Sequence, residues 1–152
     1  KKIKQIEQEI FSCFQQLLRK KTLVTAIIID PESYRMELLG NTPGEKVQTD
    51  RLSAGERQLL AISTLWGLAR VSGRPLPNII DTPLARLDSK HRTNLVDNYF
   101  PNASHQVIIL STDEEINQSY LNRIRSRVGR SYELEYSDEY RSTEIRNGYF
   151  FD

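Results

Sequence analysis

The sequence predicts an α/β fold: short parallel core strands with flanking helices, plus antiparallel hairpins. Three observations carry that expectation. Two apolar runs, Asn78-Ile79-Ile80 and Val107-Ile108-Ile109-Leu110, are separated by a helical pattern, and strands joined this way pair in parallel through a crossover. Two further pairs of segments read as hairpin strands, residues 24–29 with 34–39 and residues 132–136 with 142–151. The 152 residues suit one domain with a core of its own.

Residues 1–17 read as an amphipathic helix. Ile3, Ile6, Ile10, Cys13 and Leu17 are spaced three, four, three and four apart, which is the a/d seam of a coiled coil. Lys4, Gln5, Glu7, Gln8, Glu9, Gln15 and Gln16 make the polar face. The pattern alone fits a coiled-coil arm and a helix laid over a sheet equally well. Arg19, Lys20 and Lys21 complement the negative C-terminal end of this helix. The first hairpin turns at Asp30-Pro31-Glu32-Ser33, and Gly40-Asn41-Thr42-Pro43-Gly44 breaks the chain again.

From Ser53 to about Val71, Leu59, Leu60, Ile62, Leu65, Trp66, Leu68 and Ala69 recur at helical spacing, and Ser72-Gly73-Arg74-Pro75 ends the run. The first apolar strand, read as buried, ends at Asp81. A helix then runs from Ser89, its N-cap, to about Tyr99. The second buried strand ends at Ser111-Thr112. A last helix is expected from Asp113 to about Val128, with Asp113-Glu114-Glu115 at its positive end.

Charge and composition exclude several classes. Lys+Arg 21 against Asp+Glu 20 gives a net charge of +1, so no nucleic-acid binder is recognisable from overall charge, although a local basic patch stays open. The lone Cys13 forms no internal disulfide and implies no oxidising compartment. No apolar run approaches the roughly 18–20 residues of a membrane span. The opening Lys-Lys-Ile-Lys-Gln-Ile-Glu has no initiator Met and no signal-peptide core. The expectation is a piece of a longer cytoplasmic protein.

The chemistry concentrates in two stretches. In Leu52-Ser53-Ala54-Gly55-Glu56-Arg57-Gln58, Ser53 and Glu56 have capping-box spacing. Gly55 lets a ligand approach the first turn, and such a helix start suits an anion such as a terminal phosphate. Taken alone it is an ordinary capped helix. The second stretch is Pro77-Asn78-Ile79-Ile80-Asp81-Thr82-Pro83, followed by Leu84-Ala85-Arg86-Leu87-Asp88. An aspartate at the carboxyl end of a parallel strand could hold Mg²⁺ directly or through water, or simply cap the next turn. His91 and His105 lack partners at metal spacing and read as solvated or capping residues. Trp66 reads as core. Arg123, Arg125, Arg127 and Arg130 read as a solvated helix face rather than a phosphate-binding cluster.

The order of these pieces resembles the C-terminal half of an ABC-type ATPase head, as in SMC and Rad50-like proteins. By that resemblance residues 52–58 are the signature loop, in which Ser53, Ala54, Gly55 and Glu56 meet ATP. Residues 79–81 are Walker B, residues 85–88 the D-loop, and residues 107–112 the strand leading to the switch position. The resemblance implies catalytic roles for Asp81, Thr82, Asp88 and Thr112, with Asp81 also the Mg²⁺ ligand. The stretches Leu-Ser-Ala-Gly-Glu-Arg-Gln-Leu-Leu-Ala, Ile-Asp-Thr-Pro-Leu-Ala-Arg-Leu-Asp and Ala-Ser-His-Gln-Val-Ile-Ile-Leu-Ser-Thr-Asp-Glu-Glu are closer still to the DndD family, SMC-like ATPases of bacterial DNA phosphorothioation. The match covers about residues 52–116.

Three positions depart from the common ABC pattern. Ala54 replaces the second signature glycine, a small change that keeps the loop narrow. Thr82 stands where most members carry the general-base glutamate, and a hydroxyl cannot accept the water's proton at neutral pH. Thr112 stands at the usual switch histidine. No Gly-x-x-x-x-Gly-Lys-Ser/Thr occurs, so the P-loop is expected in an N-terminal half beyond a coiled coil.

Residues 1–21 are then the end of the returning arm, and residues 22–152 the C-terminal lobe. The implied ligands are ATP and Mg²⁺. The implied partners are the N-terminal half, a second head in an ATP-dependent homodimer, other phosphorothioation proteins and DNA, with no membrane. The full-length protein is expected to be an ATPase and the isolated piece inactive. Cys13 on the helix seam is a poor sulfur carrier. Two alternatives stay open: an SMC/Rad50-type repair or chromosome-maintenance ATPase, and a non-hydrolysing ATP-dependent clamp in which Thr82 has abolished turnover.

Overall fold

In the computed structural model, which describes residues 1–151, helix α1 (Lys2–Leu17) lies against helix α2 (Ala54–Ser72). The C-terminal part of the α1 seam supplies the contact: Ile10, Cys13, Phe14 and Leu17 are buried, while Ile3 and Ile6 are half-buried. Close approach depends on Gly67 of α2, where a Cβ would fall 2.7 Å from the backbone nitrogen of Ile10. Trp66 is fully buried, as expected of core. Its ring meets Tyr99 edge-on with centroids 5.1 Å apart, and its indole N–H donates to the Asn102 carbonyl at 3.3 Å. Burial pushes the Cys13 thiol up to about 11, which leaves it protonated and inert at neutral pH.

Strands β1 (Ala26–Ile29), β2 (Met36–Leu39) and β3 (Lys46–Val47) form an antiparallel sheet in that order. Asp30 shapes its first turn by accepting from the Ser33 N–H at 2.7 Å and the Glu32 N–H at 3.1 Å. The short β3 was not expected from the sequence. Helix α1 also reaches this sheet, since Glu7 accepts from the Ile29 N–H at 2.7 Å. It therefore covers a sheet and a helix together.

Strands β4 (Asn78–Asp81) and β5 (Val107–Leu110) pair in parallel, with Asp81 opposite Leu110. Their expected burial is only half right. Ile80, Val107 and Ile109 pack on the core, but Ile79 is 64% exposed, Leu110 44% and Ile108 39%. The two-residue period explains the split: Ile79, Asp81, Ile108 and Leu110 share one face, and nothing in the described residues covers it.

The crossover contains helix α3 (Ser89–Asn94), which continues through a wider turn at Leu95–Tyr99. Its N-cap is Asp88 rather than Ser89. The Asp88 carboxylate accepts the His91 N–H at 2.9 Å, satisfying an orphan donor of the first turn. His91 is buried, not solvated, and its Nδ1 faces Asp88 at 3.2 Å.

The last helix is much shorter than expected: α4 spans Gln118–Ile124, capped by Asn117, with a tighter turn at Arg125–Arg127. Residues 113–116 form a turn instead. The Glu115 N–H bonds to the Thr112 carbonyl at 3.2 Å while the Glu115 side chain is drawn inward. The three acids are therefore not at a helix N-terminus. Arg123 chelates Asp97, its Nε donating at 2.9 Å, so it too is engaged. Strands β6 (Tyr132–Ser137) and β7 (Ser142–Asn147) close the chain as an antiparallel hairpin. The expected second strand stops at Asn147, because Gly148 turns the chain at φ 112°. No helix among the described residues is long and apolar enough to cross a membrane.

Candidate functional site

The first turn of α2 is built by its own sequence. Ser53 is extended, with φ −60° and ψ 162°. Its Oγ accepts the Glu56 N–H at 3.2 Å, and Glu56 returns a carboxylate oxygen to the Ser53 N–H at 2.8 Å, completing the capping box. Buried Leu52 anchors the approach, its carbonyl held by Arg57. Ser53 and Ala54 are exposed at the tip, Gly55 is half-buried and Glu56 is buried.

The turn after β4 is fastened to that helix start. A Cβ on Gly55 would lie 3.1 Å from the Arg86 carbonyl oxygen and 3.3 Å from Leu87, so glycine permits the close contact. One turn along, Gln58 donates to the Pro83 carbonyl at 2.8 Å. Residues 52–58 and 82–88 thus form one surface.

Asp81 sits at the carboxyl end of β4, exposed on the open face. Among the described residues no protein group pairs with its carboxylate. Thr82 follows with φ 45°, a left-handed conformation costly for a β-branched residue. Its N–H is held by the Leu110 carbonyl at 2.9 Å. At the end of the turn, Asp88 is held below the usual carboxylate range, first by the His91 N–H it accepts.

The end of β5 forms the other wall. Thr112 is exposed. Its Oγ1 accepts the Glu115 N–H at 3.3 Å, and its carbonyl accepts the Tyr149 hydroxyl at 3.1 Å. Tyr149 also meets Ser111 Oγ at 3.1 Å. Its phenol is pushed above its ordinary value, mainly by burial, with the charges of Asp113 and Glu115 adding to the shift.

Most of the expected site residues come together in two groups. Asp81, Thr82 and Thr112 lie at the carboxyl ends of neighbouring parallel strands. Ser53, Ala54, Gly55 and Glu56 lie at the start of α2, against the turn that ends at Asp88. No hydrogen bond among the described residues joins Ser53 or Ala54 to Asp81, Thr82 or Thr112. Two residues escaped the sequence reading of the site. Tyr149 carries no sequence signal. Glu115 carries one, since Thr112-x-x-Glu115 has capping-box spacing, but it marks a turn here.

A hard divalent ion suits Asp81 in a limited way. No group of three or more His, Cys, Asp or Glu among the described residues could hold a metal. Mg²⁺ binds through one or two carboxylates together with phosphate oxygens and waters, so a free strand-end carboxylate fits one of its positions.

Comparison with protein-family models and with curated proteins finds no match. Solved structures do match. One comes from work on ATP-driven dimerization and DNA-stimulated activation of SMC ATPases: TM-score 0.67 at 13% identity, covering 98% of this chain and 86% of that one. A second is an SMC head bound to the C-terminal winged-helix domain of ScpA: TM-score 0.69 at 13% identity, covering 97% of this chain and 43% of that one. The fold is that of the C-terminal part of an SMC ATPase head. The SMC head of Thermotoga maritima agrees with a TM-score of 0.58 at 12% identity, covering 96% and 48%. The chain spans less than half of these last two heads, and likeness at this identity concerns the fold.

Proposed function

We propose that residues 22–152 are the C-terminal lobe of an ATPase head and residues 1–21 the end of its coiled-coil arm. The observation that carries this reading is the Asp81 strand end, whose following turn is fastened to the first turn of α2 by Gly55 against Arg86 and by Gln58 on Pro83. In this reading the N-terminal half of the protein brings a P-loop to the open β4–β5 face, where Ile79, Ile108 and Leu110 await cover. Asp81 is the chain's ligand for Mg²⁺, which when bound neutralises phosphate charge. The exposed Ser53, Ala54 and Gly55 tip, with Glu56 holding its cap, meets the terminal phosphate bound by a second head. ATP then joins two heads, and hydrolysis parts them.

The finer reading is a DndD-like role in DNA phosphorothioation, coupling ATP to opening or presenting DNA for sulfur insertion by other phosphorothioation proteins. It rests on the three sequence stretches around Ser53, Asp81 and Thr112. The fully buried Cys13 fits the reading of this thiol as a poor sulfur carrier. The second reading, an SMC-type chromosome-maintenance ATPase, is favoured by the fold likeness. The third, a non-hydrolysing clamp, is favoured by Thr82.

The test is ATP turnover by the full-length protein, with Ser53→Arg and Asp81→Ala beside wild type. Both changes are expected to abolish turnover, and Ser53→Arg to spare nucleotide binding while blocking ATP-dependent dimerisation. Turnover and dimerisation untouched by Ser53→Arg would reduce the loop to a helix cap. A DndD-like role predicts that the Asp81→Ala strain loses phosphorothioate from its DNA; unchanged modification excludes it.

A further inference from the structure

We infer that Glu115 supplies the carboxylate missing at Thr82, holding the attacking water of the hydrolysis site and accepting its proton. The inference rests on the ATPase reading above and names the base of the same site.

Glu115 is buried, with 7% of its surface exposed. Its Oε1 accepts the Leu84 N–H at 2.8 Å, inside the turn that leaves Asp81. Leu84 lies three positions after Asp81, so chain length alone keeps this contact within roughly 11 Å of the Asp81 backbone. The other oxygen, Oε2, is sealed in the protein and meets no protein donor. A buried carboxylate oxygen with no donor is costly, and a water admitted to it when the site is assembled would supply that missing donor.

The neighbouring acids are otherwise engaged or turned away. Glu56 gives Oε2 to the Ser53 N–H, and its Oε1 lies 4.0 Å from Lys20. Asp88 caps α3. Asp113 and Glu114 are exposed. Asp81 is assigned to the metal. Among the described residues Glu115 alone has a buried carboxylate oxygen with no partner, and Thr112 fixes its backbone from the end of β5.

In the step it serves, the water oxygen bonds to the γ-phosphorus and the bond from that phosphorus to the bridging oxygen breaks. ADP leaves with the electron pair, and Glu115 Oε2 takes the water's proton.

The experiment is steady-state ATP turnover by the full-length protein, with ATP binding, ATP-dependent dimerisation and melting temperature measured alongside. Glu115→Gln keeps an oxygen for the Leu84 N–H but loses the base. The expected result is a kcat lowered about 10²–10³-fold, with nucleotide binding and melting temperature retained and the ATP-bound dimer longer-lived. Adding Thr82→Glu to Glu115→Gln restores turnover, because a carboxylate returns beside Asp81. If Glu115→Gln turns over ATP like wild type while Asp81→Ala does not, Glu115 is only a strut and the ATPase reading survives. A loss that Thr82→Glu fails to reverse also overturns the inference. Absence of turnover in wild type overturns both.

Discussion

The α1–α2 pair and the β4–β5 ribbon both carry apolar faces but differ in what covers them. Between the helices, Ile10, Cys13, Phe14, Leu17, Leu59 and Trp66 are at or near zero exposure, and Gly67 removes the Cβ that would hold the two apart. The ribbon is closed on one face only. Its Ile80, Val107 and Ile109 join the core while Ile79, Ile108 and Leu110 face outward beside Asp81. The closing β6–β7 hairpin goes further, with Leu134 60% and Ile145 69% exposed as register partners. The first region holds this chain together. The second presents chemistry and apolar surface outward.

That contrast can be tested by substitution. The largest effect is expected at Trp66, where Trp66→Ala should cost about 3–5 kcal/mol in urea unfolding. A comparable loss from Ile145→Ala would mean that the hairpin belongs to the same cooperative unit.

Gly67→Ala comes next. Its Cβ would meet Ile10 backbone atoms at 2.7 Å and 2.8 Å, so a loss of about 1–3 kcal/mol is expected from overpacking. An unchanged midpoint would show that the helices separate freely.

Asp88→Ala should remove an N-cap worth about 0.5–2 kcal/mol. The folded Asp88 titrates below its ordinary value of 3.8. Its contribution is therefore fully present above that value and fades as pH falls through the lower folded one. Wild type and Asp88→Ala should differ at pH 7 and converge in strong acid, as read from thermal unfolding across pH. A gap that persists in acid would remove the charge from the account.

The smallest effect is expected on the open face. Ile79→Thr and Ile145→Ala should each change the stability of this chain by less than about 0.5 kcal/mol. Ile79→Thr should instead weaken any self-association of the isolated chain, measured by sedimentation. A large stability loss would mean that Ile79 is already packed.

The capping box at Ser53 was legible because its donor and acceptor lie three residues apart on one helix turn. The parallel pairing of β4 with β5 was legible because apolar run, helix and apolar run leave few other connections. The same local signals misled twice. Asp88 and Ser89 are both good caps, and which one is extended depends on how the 84–88 turn packs on Gly55. Asp113, Glu114 and Glu115 read as the acidic first turn of a helix, yet Glu115 turns inward to Leu84, 31 positions away.

The amino-acid order by itself determined most of the elements and the kind of chemistry at their ends: an aspartate closing a parallel strand, a capped helix start with a glycine in its first turn, and no P-loop. Only the tertiary structure decided which strand face stays open, that the turn after Asp81 packs on the start of α2, and that a buried carboxylate from beyond β5 reaches the same turn. The reason is range. Caps and periodicity act within a turn or two of chain, whereas burial and long-range hydrogen bonds depend on which distant segments the packed core brings together.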